Sequence, residues 1–124
     1  MPEPAASPTA FIRTYEQATN SHDITQLAPL IAPDAVYWFT DGSHRGRDAV
    51  LTAIGGTFAT IRDEVYRIDE LEWITADSNY AVCRHRFTWT GTVDGQPRSG
   101  GGRGTNVLVN NEGAWHMLHE HLST

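Results

Sequence analysis

The sequence predicts an α+β domain, and two observations carry that prediction. Apolar residues recur at helical spacing as far as Ile61, and from Glu64 onward the pattern changes to strand-like alternation broken by Asp-Gly and Asn-x-Gly turns. Helices first and a β-meander afterwards is the order of an α+β fold rather than of alternating βαβ units.

Each element has its own signal. Ser7-Pro8 opens the first helix, because serine caps orphan amides and proline suits the first helical position. Phe11, Ile12, Tyr15 and Ala18 then form an apolar stripe ending near Asn20. Asp23 with Gln26 has the form of a capping box for a short helix from Ile24 to Leu30, closed by Pro33-Asp34. Ala35 to Thr40 is rich in aromatic and β-branched residues and reads as a strand, followed by an Asp41-Gly42 turn. Arg47 to Ile61 carries Val50, Ala53, Ile54, Phe58 and Ile61 at helical spacing, weakened by about 1 kcal/mol at each of Gly55 and Gly56. Glu64 to Thr75 alternates, but Tyr66 and Ile68 share one face while Leu71 and Trp73 share the other. A bulge near Asp69-Glu70 explains that slip and would bend the sheet. Three further strands follow, over Asn79 to Thr92, Arg98 to Asn110 and Ala114 to Leu122.

The 124 residues fit one domain over 8–124, with 1–7 a disordered lead-in. That lead-in has neither the basic region nor the apolar segment of a signal peptide. No apolar run approaches the ~20 residues of a membrane span, so neither a membrane partner nor a location other than the cytoplasm is expected. The net charge of -6 argues against a nucleic-acid partner, since Arg84 and Arg86 form the only local basic cluster. A single cysteine, Cys83, excludes an internal disulfide and a thiolate-rich zinc site.

Strand alternation nominates the functional groups. Ala81, Cys83, His85, Phe87 and Trp89 share one apolar face, which is turned inward. His85 is the one ionisable group in that row, either a core histidine bonded to a neighbour or a pocket acid, base or donor. On the next strand Arg103, Thr105, Val107 and Val109 form the more apolar set and are turned inward, leaving Asn106, Leu108 and Asn110 outside. A buried Arg103 would need a carboxylate or an anionic ligand; otherwise its head stays wet at a rim. The last strand admits two parities: Trp115, Met117, His119 and His121 inward, or His116, Leu118, Glu120 and Leu122 inward. The second brings Glu120 to Arg103; the first brings two histidines into the pocket. His119-x-His121 is also a usable chelating pair, but its third ligand would have to arrive from His85, His116 or His44, and no metal or other cofactor is expected.

The stretch from Arg103 to Ser123 resembles SnoaL-like proteins of the nuclear transport factor two superfamily. Arg103-x-Thr105, the Gly113-x-Trp115 turn and the His119-Glu120-His121-x-Ser123 ending carry the likeness. Asn20-Ser-His-Asp23, Pro33-Asp34-Ala35-Val36 and Gly46-Arg47-Asp48-Ala49 extend it, so that it spans Pro8 to Ser123. The resemblance implies a cone-shaped barrel, a strongly curved antiparallel sheet wrapped around N-terminal helices, with a deep pocket and a homodimer formed through the sheet. The superfamily holds enzymes and non-enzymes, so fold alone does not assign activity.

Motif comparison narrows the chemistry. Ketosteroid isomerases carry a tyrosine matching Tyr15, but their two acids fall at Phe39 and Thr105, so steroid isomerisation by that mechanism is not expected. Asp41 lies two residues past the base position and could substitute only if the strand end curls inward. Limonene epoxide hydrolases match at Arg103 and in part at Glu120, but Thr105 replaces an aspartate. Kinase association domains share the fold and a His-x-His ending, yet assemble rather than catalyse.

These readings nominate Tyr15, His85, Arg103 and Glu120 as acid–base or polarising groups. Phe39, Phe87, Trp89, Thr105, His119 and His121 are nominated as ligand contacts. The expected function is binding of a small, largely apolar organic molecule, with acid–base catalysis of isomerase, cyclase, dehydratase or hydrolase type. The alternative is a non-catalytic binding or assembly module.

Overall fold

The computed structural model describes residues 7–124; of the lead-in read at positions 1–7, residues 1–6 lie outside the described residues and Ser7 is the cap of the first helix. Helix α1 (Pro8–Asn20) begins as its signals require, with the Ser7 hydroxyl accepting from the Ala10 amide at 3.1 Å. Asp23 caps α2 (Ile24–Leu27) through the Thr25 amide at 2.9 Å, and a 3-10 turn continues to Leu30. Then come β1 (Ile31–Phe39), β2 (Gly42–Arg45), α3 (Arg47–Thr60), β3 (Arg62–Ala76), β4 (Tyr80–Val93), β5 (Gln96–Asn111) and β6 (Ala114–Ser123).

Two local expectations need correction. Pro33 and Asp34 lie inside β1 instead of closing α2. They are tolerated because the pairing of β1 with β6 is irregular there, jumping from Ile31↔Met117 to Val36↔His119, so the missing proline donor interrupts no regular ladder. The short strand β2 was not expected; it folds back on β1 through the Asp41-Gly42 turn.

The six strands form one sheet in the order β2-β1-β6-β5-β4-β3. It is not purely antiparallel: β1 runs parallel to β6, and the sheet is open, with β2 and β3 as its edges. Two bulges bend it. One lies between Asp69↔Arg86 and Glu72↔Arg84, with Glu70 at φ 53°, where the parity of β3 slips as expected. The other lies between Val107↔His119 and Leu108↔Met117, leaving Leu118 of β6 without a counterpart on β5.

Helix α1 closes the β3 edge. Asn20 accepts from the Tyr66 amide at 2.7 Å and donates to its carbonyl at 2.8 Å. Glu16 accepts from the Ile68 amide at 2.6 Å, and Arg13 donates to the Ile68 carbonyl at 2.7 Å. These side chains satisfy edge groups that would otherwise offer a pairing template. The concave face buries Tyr37, Ile68, Leu108 and Met117 against Phe11 and Ile12 of α1, Leu27 and Val50. Each such aliphatic or phenyl side chain contributes roughly 1.5–3 kcal/mol. No helix among the described residues is long and apolar enough to cross a membrane.

Candidate functional site

A run of glycines shapes the site. Opposite the inward rings of β4, Trp89 pairs with Gly100, Phe87 with Gly102 and His85 with Gly104. A Cβ at Gly100 would lie 2.6 Å from the Trp89 indole nitrogen, and one at Gly104 would overlap the His85 imidazole. The glycines therefore let three large rings lean across β5. Period-two alternation then continues their face to Asn106 and Leu108, both fully buried.

Between the sheet and the helices lies a cavity of about 320 Å³. Tyr66, Phe87, Trp89 and Leu122 line it from the sheet, and Ile54 and Phe58 from α3. Tyr66 stacks on Phe87 with ring centroids 5.9 Å apart. Phe39 and Asp41 contribute from the end of β1 and the turn after it. The Asp41 carboxylate is largely exposed and 3.4 Å from His44, which places it at the rim. Tyr15, Glu64, Tyr66 and Glu120 are the buried lining residues that carry a hydroxyl or carboxyl group.

Glu120 anchors a buried polar chain. Asn106 donates through Nδ2 to Glu120 Oε1 at 3.0 Å and to Met117 Sδ at 3.3 Å. That orientation leaves Asn106 Oδ1 to accept from His85 Nε2 at 2.7 Å, so the imidazole carries its proton on Nε2. His85 Nδ1 is buried without a hydrogen-bond partner among the described residues. Burial pushes the Glu120 carboxyl up to about 7, against the pull of the Asn106 amide. Burial also lowers the His85 pKa, which keeps the ring neutral. Tyr37 of β1 is the strand neighbour of Glu120, and its hydroxyl is 2.7 Å from that of Tyr15 on α1. Burial, reinforced by the charge of Glu120, holds both phenols and that of Tyr66 well above their ordinary range, so all three remain protonated donors.

The structure brings together Tyr15, Glu120, Phe39, Phe87 and Trp89 at the cavity. His85 faces inward but does not line it; its ring lies against Gly104 and reaches Glu120 through Asn106. The inward orientation of Arg103 and Thr105 is corrected. Arg103 is exposed opposite Arg86 on the convex face, because the glycines of β5 must face the rings of β4. His119 and His121 are on that convex face as well. His119 donates from Nδ1 to the Val36 carbonyl at 2.7 Å, and both rings meet Trp38 edge-on, with centroids 5.4 and 5.7 Å away. Among the described residues no third metal-ligating side chain joins them.

The two parities of the last strand each hold over half its length. Trp115 and Met117 point inward before the Leu118 bulge, and Glu120 points inward after it. Glu120 thus enters the cavity without Arg103, and Asn106 is its partner instead. Asn106, Tyr37, Tyr66 and Glu64 were missed as site residues. The signal for Asn106 was present: Gly100, Gly102 and Gly104 share its parity, facing three aromatic rings.

A curved, open sheet packed over helices, with an aromatic cavity lined in part by the buried Glu120, defines an α+β fold with an internal cavity. The chain belongs to the SnoaL-like domain family, whose profile matches residues 9–124. No curated protein matches the sequence significantly. Among solved structures, a nuclear transport factor 2-like superfamily protein from Salmonella enterica superposes with a TM-score of 0.84 at 22% identity, covering 93% of this chain and 86% of that one. A cystatin-like-fold protein from Caulobacter vibrioides reaches 0.79 at 26% identity, covering 93% and 84%. A provisionally assigned scytalone dehydratase from Novosphingobium aromaticivorans reaches 0.82 at 17% identity, covering 94% and 80%. At 17% identity the last likeness is one of fold alone.

Proposed function

We propose that the cavity binds a small, largely apolar organic molecule and that Glu120 moves a proton on it. One observation carries this reading: a carboxyl titrating at about 7, buried yet lining the cavity, is poised to exchange a proton near neutral pH. The carboxylate would accept a proton from carbon or oxygen next to a carbonyl or hydroxyl group and return it elsewhere on the molecule. Tyr15, oriented by Tyr37, would donate to the oxygen on which negative charge develops. Asn106 is a positioning residue that holds the Glu120 carboxyl. Isomerisation, dehydration and cyclisation all need only these groups, without a cofactor.

The same reading includes a homodimer formed through the convex face, supported by Trp38 at 48% exposure and by half-buried Val107, Val109 and Leu118 there. The single cysteine, buried and unpaired, suits the cytoplasmic setting expected from the sequence.

The test uses small cyclic ketones in deuterium oxide, with exchange of the protons beside the carbonyl followed by mass spectrometry. Glu120→Gln is expected to lose at least about 100-fold in exchange rate while keeping ligand-induced thermal stabilisation. Unchanged exchange in that variant sinks the catalytic reading. Stabilisation of the wild type without any exchange favours a non-catalytic binder.

A further inference from the structure

The charge around the cavity is one-sided. Asp41, Glu64 and Glu120 contribute to its lining, and no arginine or histidine does. The chain has no lysine at all, so no long ammonium side chain can swing in from elsewhere. The backbone adds the same sign. Thr19 lies in the last turn of α1 and Thr57 and Phe58 in the last turn of α3, and neither turn contains a basic residue. Neither helix end, with its partial negative charge, is therefore balanced by a basic side chain of its own last turn.

Glu64 is the second, independent sign of a missing partner. It is 7% exposed and lines the cavity, yet its carboxylate makes no hydrogen bond or ion pair among the described residues. Burial raises its pKa, and only the neighbouring His22 opposes that. His22 is committed elsewhere: its Nε2 bonds the Glu64 carbonyl at 2.7 Å and its ring packs on Phe58 at 5.4 Å. Phe39, Phe58, Tyr66, Phe87 and Trp89 line the same cavity as the carboxylates. Tyr66 lines the cavity together with both Glu64 and Glu120. Aromatic rings combined with desolvated carboxylates attract organic cations and repel anions.

We infer that the molecule taken up by this cavity carries a basic nitrogen, bound as an ammonium ion beside Glu64 and the aromatic walls. The inference rests on the reading of the cavity as a small-molecule site. It deepens that reading by naming an amine, and excluding carboxylates and phosphates, as the substrate class. Glu64 is then the specificity-determining residue, distinct from the proton-transfer group Glu120.

Calorimetric titration at pH 8 with three probes of matched skeleton tests it: 3-phenylpropan-1-amine, 3-phenylpropan-1-ol and 3-phenylpropanoate. The amine is expected to bind at least tenfold more tightly than the alcohol, and the carboxylate more weakly than either. Glu64→Gln should erase about tenfold of amine affinity and leave alcohol binding within twofold. Because the wild-type carboxylate is unpaired, this variant is expected to fold, and its melting temperature checks that. If the alcohol binds and the amine binds no better, this inference falls and the cavity reading stands. If none of the three binds at millimolar concentration, both fall. An amine preference that survives Glu64→Gln overturns the assignment of Glu64.

Discussion

Replacing Glu120 by glutamine isolates what it costs to bury this carboxyl. The residue is 4% exposed, and its pKa rises from 4.5 to about 7, chiefly through burial. Between those values the folded protein holds a proton that the unfolded chain has released, so stability must fall as pH rises through this window. Below about 4.5 the group is neutral in both states and contributes no penalty; above about 7 the folded state carries a desolvated charge and the penalty is complete. The gap, at about 1.4 kcal/mol per pH unit, amounts to roughly 3 kcal/mol. Glutamine retains an oxygen that can accept from Asn106 Nδ2 but never ionises. Glu120→Gln is therefore expected to match the wild type near pH 4 and to exceed it by roughly 3 kcal/mol at pH 8. Urea unfolding followed by tryptophan fluorescence reads this directly, as a midpoint difference of about 2 M at pH 8 for a slope of about 1.5 kcal/mol/M. Comparing the two proteins at each pH cancels the titration of every other group. Midpoints that run parallel from pH 4 to 8, or a variant less stable than the wild type at pH 8, would refute the argument.

Other substitutions test neighbouring links. Asn106→Leu leaves Glu120 Oε1 and His85 Nε2 without their partner; it should cost about 3 kcal/mol and push the Glu120 titration above 7 in a carbon-13 NMR titration. Gly104→Ala drives a methyl into the His85 ring and should cost about 1–3 kcal/mol in thermal unfolding. Gly56→Ala, with nothing within 4 Å of the added carbon inside α3, should instead stabilise by about 0.5–1 kcal/mol. Arg103→Ala is expected to change stability by no more than about 0.5 kcal/mol and to leave ligand-induced stabilisation intact; loss of ligand binding would contradict its position on the convex face.

Much of the architecture was legible from local rules. The helix of Phe11, Ile12, Tyr15 and Ala18 buries the stripe its spacing predicts, with Ser7 as its cap. The bulge in β3 follows from the change of apolar parity between Ile68 and Leu71. The inward face of β4 is correct along Ala81, Cys83, His85 and Phe87, because its other face is interrupted by Arg84 and Arg86. The β5 assignment failed where hydrophobicity was the only guide. Val107 and Val109 are half-buried on the convex face, whereas Asn106 and Gly104 occupy the concave one. Counting apolar residues picks the wrong side when one face holds a polar network and glycines.

The sequence alone therefore determined the order and type of most elements, the capped first helix, the bend in β3 and the inward row of β4. These depend on residues close in the chain, where 3.6- and 2-residue periods are fixed by backbone geometry. It could not determine the side of β5 and β6 that faces the cavity, nor that β1 runs parallel to β6. Those features depend on which strands become neighbours and on a bulge at Leu118 that reverses every side chain beyond it. Only the folded sheet brings His85, Asn106 and Glu120 into one hydrogen-bonded line, and only enclosure from water lifts the Glu120 carboxyl to where it can exchange a proton near neutral pH.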